Sequence, residues 1–265
     1  MSVRQSRSTG MAMQRKLADR FPGVVFGESV FVGKDVSIGA GTVVGHHVVI
    51  HDDTRIGIGV RLDDGCVLGK LPLRSSVSAV TRDVTLAPAS LGDRCLVGSH
   101  AVVYRGASIG DGVLLADLAT VREETSIGDL SIIGRGVAVE NQVMIGTRCK
   151  IETGAYITAK STIGAFCFVA PEVTFTNDNF VGRSEERFKH FAGVVMESGS
   201  RVGANATVLP GITIGKEALV AAGSIVTRDV SPLIVVLGSP ARPVWEVPLE
   251  QRLGATLHSE TRGAV

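Results

Sequence analysis

Aliphatic residues recur along this chain with a period of six. The series runs from Phe26, Val32 and Ile38 to Leu68, resumes at Leu91 and continues to Phe175, and returns at Met196 to end at Val226. The next residue is often glycine, as at Gly33, Gly39, Gly45 and Gly57. The position four beyond each aliphatic is small or β-branched, as at Thr42, Ala101, Ala107, Ala119 and Ser131. One large and one small inward position per hexad, joined by a glycine-rich corner, describe a short strand and a tight turn. A helix would repeat its apolar stripe at three and four. Three such strands close a coil of roughly 18 residues, and coils stack at ~4.8 Å like parallel strands. The pattern predicts an all-β parallel solenoid of about ten coils over residues 24–230. Two breaks, at 70–90 and 177–195, read as loops thrown out of the solenoid, where specificity usually sits. Residues 1–23 form an N-terminal segment whose MAMQRKLADRF stretch is expected to be helical. Residues 231–265 form a C-terminal tail with a helical turn around PLEQRLG.

Composition supports this filling of the core. Only 5% of the 265 residues are aromatic while 45% are hydrophobic and 32 are glycine, so ladders of aliphatics replace the usual aromatic bulk. With 27 basic against 26 acidic side chains the net charge is +1, which provides no field to draw in nucleic acid or an anionic membrane. No apolar run approaches the ~20 residues of a membrane span, and MSVRQSRSTGMAMQRK has no apolar block behind its charges. A cytoplasmic protein without nucleic-acid or membrane partners is expected. Cys66, Cys95, Cys149 and Cys167 lack CxxC spacing and each takes the small inward position of a hexad, so they read as core filler in a reducing compartment. Cys149 and Cys167, one coil apart, should be stacked neighbours. No Walker loop and no GxGxxG following a strand is found, so ATP and NAD have no support.

The hexad pattern resembles the hexapeptide-repeat, left-handed β-helix family. Handedness rests on that resemblance, because the general rule for parallel crossovers favours the right hand. The stretch VAVENQVMIGTRCKIETGAYITAKSTIGAFCFVAPEVTFTNDNFVGR, with RGASIGDGVLLADLATVRE before it and VLPGITIGKEALVAAGSIVTRDV and GSPAR after it, is similar to the sugar-nucleotide amine N-acyltransferases of that family. The resemblance implies an acyl-CoA-dependent N-acyltransferase, with acetyl-CoA or another acyl-CoA as co-substrate and a nucleotide-linked amino-deoxy sugar as acceptor. It implies a homotrimer with sites at the subunit interfaces, since a prism face alone is too flat to enclose two substrates.

By the same resemblance, Asp117, Glu140 and Asn141 would hold the acceptor's amine, with His100 or His190 as rival general bases. A structural reading stands beside this one. Asn141 suits a left-handed turn, and stacking at roughly 18 residues sets Arg122 against Glu140 and Arg135 against Asp117 in surface charge ladders. Ala221, Ala222, Gly223 and Ser224 would let the pantetheine arm lie along the main chain, with Arg228 and Arg242 toward the phosphates. Asn177, Asp178, Asn179 and Arg183 of the second loop, and Lys70, Arg74 and Arg82 of the first, are the candidates for the nucleotide sugar. The γ-class carbonic anhydrases share the architecture and use three His, but His46, His47 and His51 have no convincing third partner across coils, so no metal is expected. Acylation of another small amine or alcohol, or a non-catalytic scaffold, are the competing readings.

Overall fold

The computed structural model describes residues 16–75 and 84–254. The hexads form a left-handed parallel β-helix of three faces. The first face runs in parallel from Val25–Phe26 to Ile234–Gly238, the second from Phe31–Val32 to Ile225–Val226, and the third from Ser37–Ile38 to Thr213–Ile214. Register repeats coil by coil: Val97 pairs with Leu115, Leu115 with Ile133, Ile133 with Ile151, and Ile151 with Val169. These inward aliphatics are almost wholly buried, and so are the small residues between them. Aliphatic side chains therefore stack on aliphatic side chains, and the period in the sequence becomes a period in space.

Polar residues at the small inward position bond to main chain. The Ser131 hydroxyl donates to the Gly146 carbonyl (2.9 Å) and accepts from the Cys149 amide (3.0 Å). All four cysteines are buried free thiols. Cys149 and Cys167 are stacked neighbours, and Cys149 donates to the Gly164 carbonyl (2.9 Å). Burial pushes the Cys66 thiol up to about 12, which leaves it inert.

Lys16 to Arg20 are helical, and Leu17 and Phe21 are buried against the first coils. At the other end the strand Ile234–Gly238 pairs in parallel with Leu219–Val220, so the first face extends beyond residue 230 by one more rung. Its antiparallel partner Ala241–Glu246 then turns the chain back. The tail is held by Arg201 Nη1 donating to Gln251 Oε1 (3.3 Å) and by the Leu253 amide donating to Glu217 (2.8 Å). The helical turn expected in PLEQRLG is a 3-10 turn at Leu249–Gln251.

Both breaks leave the prism from the same edge. The first follows Val67–Lys70 on the second face and returns at Ser90–Leu91 on the third; the second follows Thr174–Phe175 and returns at Val195–Met196, again from second face to third. Five rungs of the second face separate their departures, or about 24 Å at ~4.8 Å per rung.

Candidate active site

Each coil has three corners, and they differ in the residue placed directly after the inward aliphatic. At the corner between the third and first faces this residue is Gly57, Gly92, Gly110, Gly128, Gly146 and Gly164 in successive coils. Between the first and second faces it is mostly small, at Gly98, Ala116, Gly134 and Ala170, with acids at Asp63 and Glu152. Between the second and third faces, over the span bracketed by the loops, it is Tyr104, Arg122, Glu140, Thr158 and Thr176. Within the span bracketed by the loops, this edge has no glycine at that position and gathers an aromatic ring, a cation, an acid and two hydroxyls.

They form a connected cluster. The Arg122 guanidinium lies over the Tyr104 ring (5.1 Å), and the Lys70 ammonium approaches the same ring (5.3 Å). Arg122 donates twice to Glu123, from Nε to Oε2 (2.8 Å) and from Nη2 to Oε1 (2.9 Å). Its Nη1 reaches Glu140 Oε2 at 3.4 Å, longer than either bond to Glu123. Glu123 is buried, with 4% of its surface exposed. Burial raises the Glu140 carboxyl above its ordinary value; Arg122 opposes this and Glu123 adds to it. Tyr156, on the coil above, is raised by its own burial and by the charge of Glu140. Between Val102 and Tyr156 the outer second face carries only Thr120 and Ala138, which leaves a shallow floor beside the acids.

The loops frame this edge. Arg105 donates to the Leu86 carbonyl (3.2 Å) and to Asp53 (2.7 Å), which ties the first loop down. Lys70 is at the mouth of the cluster, Arg74 is exposed on the loop, and Arg82 lies outside the described residues. In the second loop Asp178 is an internal clasp. It accepts from the amides of Phe180 (2.8 Å) and Gly182 (2.9 Å) and faces Arg187 (3.7 Å), contacts that hold its carboxyl below the usual range, the Gly182 bond foremost. The Asn177 carbonyl accepts from the Ala192 amide (3.4 Å), while Asn179 and Arg183 are exposed. The His190 ring bonds Glu186 (3.3 Å) and packs at 5.8 Å from the Phe180 ring, within the loop itself.

The other candidates are placed elsewhere. His100 and Asp117 stand at the corner between first and second faces, apart from Glu140 and Asn141. The Asp117 carboxylate accepts from the Ser99 amide (2.9 Å), one coil below. Asp64, Asp93, Asp111 and Asp129 accept from amides of their neighbouring coils in the same way, so Asp117 belongs to a structural series rather than breaking one. Gly98 makes the room: a Cβ there would fall 2.5 Å from the Asp117 nitrogen. Asn141 is buried beside Glu123 rather than presented on the surface. Ala222 and Gly223 expose their main chain at the first-to-second corner, and nothing lies within 4 Å of an added Cβ at Gly223. Ser224 is wholly buried, its hydroxyl accepting from the Gly238 amide (3.1 Å) and its carbonyl from the Thr207 amide (2.9 Å), so the small inward position takes it out of reach of a pantetheine arm. Arg228 stands one corner further along the same coil, and Arg242 is exposed on the hairpin strand. No group of three or more metal-ligating side chains occurs among the described residues, and no helix among them is long and apolar enough to cross a membrane.

Glu123, Tyr104 and Tyr156 were not singled out by the hexad count. Sorting the hexads by corner finds Tyr104 at the second-to-third corner with Arg122 and Glu140; Glu123 follows Arg122 there, and Tyr156 stands on the second face beside them.

A family model described as the hexapeptide repeat of succinyl-transferase matches residues 88–116, 124–159 and 193–228. The chain carries hexapeptide repeats. Over 69 residues the chain is 39% identical to a 2,3,4,5-tetrahydropyridine-2,6-dicarboxylate N-acetyltransferase of Brevibacillus brevis, covering 26% of this chain and 29% of the relative. Over 51 residues it is 49% identical to the enzyme of the same name from Staphylococcus aureus strain JH9, covering 19% and 21%. The match thus spans less than a third of either relative's length. Among solved structures, a variant of an N-acyltransferase from Bacillus cereus, in complex with dTDP and coenzyme A, aligns with a TM-score of 0.40 at 17% identity, over 65% of this chain and 92% of the other.

Proposed function

We propose that the protein is an acyl-CoA-dependent N-acyltransferase that acylates the amino group of a nucleotide-linked amino-deoxy sugar. The observation that carries this reading is the bracketed edge: two loops framing a half-buried carboxylate, Glu140, whose proton affinity is raised. An amine near neutral pH is mostly protonated, and a carboxylate of raised pKa is suited to take that proton. The freed nitrogen lone pair attacks the thioester carbonyl carbon, the carbon–sulfur bond breaks, and the departing CoA sulfur takes up a proton. Lys70, beside Tyr104, supplies a cation at the edge of the site for a nucleotide's phosphates, with Arg74 and Arg183 exposed on the loops. The open main chain at Ala222 and Gly223 suits the pantetheine arm.

The candidates of one chain occupy two different corners, so a complete site calls for a second copy. We assign a homotrimer in which the first-to-second corner of one copy, with His100 and Ala221–Gly223, faces the second-to-third corner of the next. Light scattering should then give roughly three times the 27.7 kDa of the chain. Four buried free thiols suit a cytoplasmic location.

The names of the two relatives favour a second reading, in which the acceptor is a small dicarboxylic amine or its cyclic precursor. Release of CoA thiol from acetyl-CoA, measured against dTDP- and UDP-linked amino-deoxy sugars and against tetrahydropyridine dicarboxylate, separates the two. Turnover with a nucleotide sugar is the expected result. Turnover with the dicarboxylate alone selects the second reading, and absence of CoA binding leaves a scaffold.

A further inference from the structure

Glu140 does not stand alone, and its neighbours decide what it can do. From the coil below it faces Arg122 and Glu123, and from the coil above Tyr156. Lys160 ends the turn above, joined to Asn141 only through main chain, with its side chain exposed. Gln142 is taken up by Glu124 (2.9 Å). Among the described residues the cation within reach of Glu140 is therefore Arg122, and it is shared with Glu123.

The sharing is unequal. Glu123 receives two short bonds in a fork, the strongest geometry a guanidinium offers a carboxylate. Glu140 receives one contact at 3.4 Å from the remaining nitrogen. Arg122 is also packed on the Tyr104 ring, which fixes its plane. The charge of Arg122 is thus spent on a carboxylate that is only 4% exposed, while the more accessible Glu140, with 22% of its side chain exposed, keeps its own charge largely uncompensated. A buried acid fully paired next to an accessible acid left hungry for a proton is an arrangement that separates two roles.

We propose that Glu123 is a positioning residue, which holds Arg122 away from Glu140 and so leaves Glu140 as the proton acceptor for the incoming ammonium. This rests on the acyl-transfer reading for its purpose, but not for its electrostatics. Burial and the like charge of Glu123 both raise Glu140, in agreement with this division. Without the Glu123 fork, Arg122 can turn more of its guanidinium toward Glu140 while it stays stacked on Tyr104, which would lower the proton affinity of Glu140 and weaken it as a base.

The test is carbon-13 NMR of glutamate-labelled protein across pH, with Glu140→Gln to assign the signal, and the pH profile of kcat/KM alongside it. In the unaltered protein Glu140 should titrate above the ordinary ~4.3 of a glutamate. Glu123→Gln should lower that midpoint by about one unit or more and move the acidic limb of kcat/KM down with it. Glu123→Asp, which keeps the charge, should restore most of the raised value. Adding Arg122→Gln to Glu123→Gln should also restore it, because the competing guanidinium is gone; this second variant keeps the test sound if Glu123→Gln alone disturbs the turn. A Glu140 midpoint that does not move in Glu123→Gln overturns the proposal, whatever the protein transfers. A midpoint that moves, in a protein that acylates no acceptor, upholds the charge division and retires the acyl-transfer reading instead.

Discussion

Two corners of the same coil use the same hexad to opposite ends. At the corner between third and first faces, glycine comes directly after the inward aliphatic, and the aspartates beside it run as a chain: the Ile58 amide donates to Asp93, the Asp93 amide to Asp111 and the Asp111 amide to Asp129, each at 2.8 Å. These carboxylates are occupied by main chain and cap the coils. At the corner between second and third faces, glycine gives way to Tyr104, Arg122 and Glu140, and the acids bond to a guanidinium instead. Glycine leaves room for an acid of the next coil to reach a main-chain amide; at Tyr104, Arg122 and Glu140 the side chains at that position bond and pack on one another instead. The backbone is the same, and the residue at one position of the hexad decides whether a corner is structural or chemical.

The largest effect should come from the chemical corner. Glu140→Gln is expected to lower kcat by about 10²–10⁴-fold, the usual loss for a general base, with little change in melting temperature. Asp117→Asn, at the first-to-second corner where the aspartate caps a main-chain amide in the same way, should leave kcat within a few-fold; a loss as large as that of Glu140→Gln would erase the distinction between capping acids and the acid bonded to a guanidinium. The ladder they share responds differently. Ile151→Ala removes a fully buried side chain and should cost about 2–5 kcal/mol in chemical denaturation, whichever corner is considered. Asp111→Ala should fall below that. It removes one charge-assisted bond to the Asp93 amide, worth about 1–3 kcal/mol, and should lower the melting temperature by several degrees without touching turnover.

The period of six was enough to read the fold, because each coil repeats one environment and the same residue type answers it each time. The loops were legible as interruptions of phase. The period alone does not show the third dimension of the repeat: the bond from the Ser99 amide one coil below makes Asp117 one of a series of capping aspartates. Glu123 drew no notice because an acid in a turn is unremarkable until a fork from Arg122 and near-complete burial give it a partner. His100 and Glu140 were grouped by chemistry, although their phases in the repeat put them on different corners.

The smallest effect concerns the loop that frames the chemical corner. Asp178 binds the amides of Phe180 and Gly182, so its folded pKa is depressed, and the stability it lends the loop is present above the unfolded value and lost as pH falls through the folded one. The amide shifts of Phe180 and Gly182 should therefore titrate together, with a midpoint below the ordinary ~3.9 of an aspartate, and Asp178→Asn should abolish that step. At neutral pH the wild-type loop stays clasped, so turnover should show no dependence on this group there. If the two amides titrate apart, or if activity near neutrality follows Asp178, the residue faces substrate rather than its own loop, and the second loop joins the chemical corner instead of framing it.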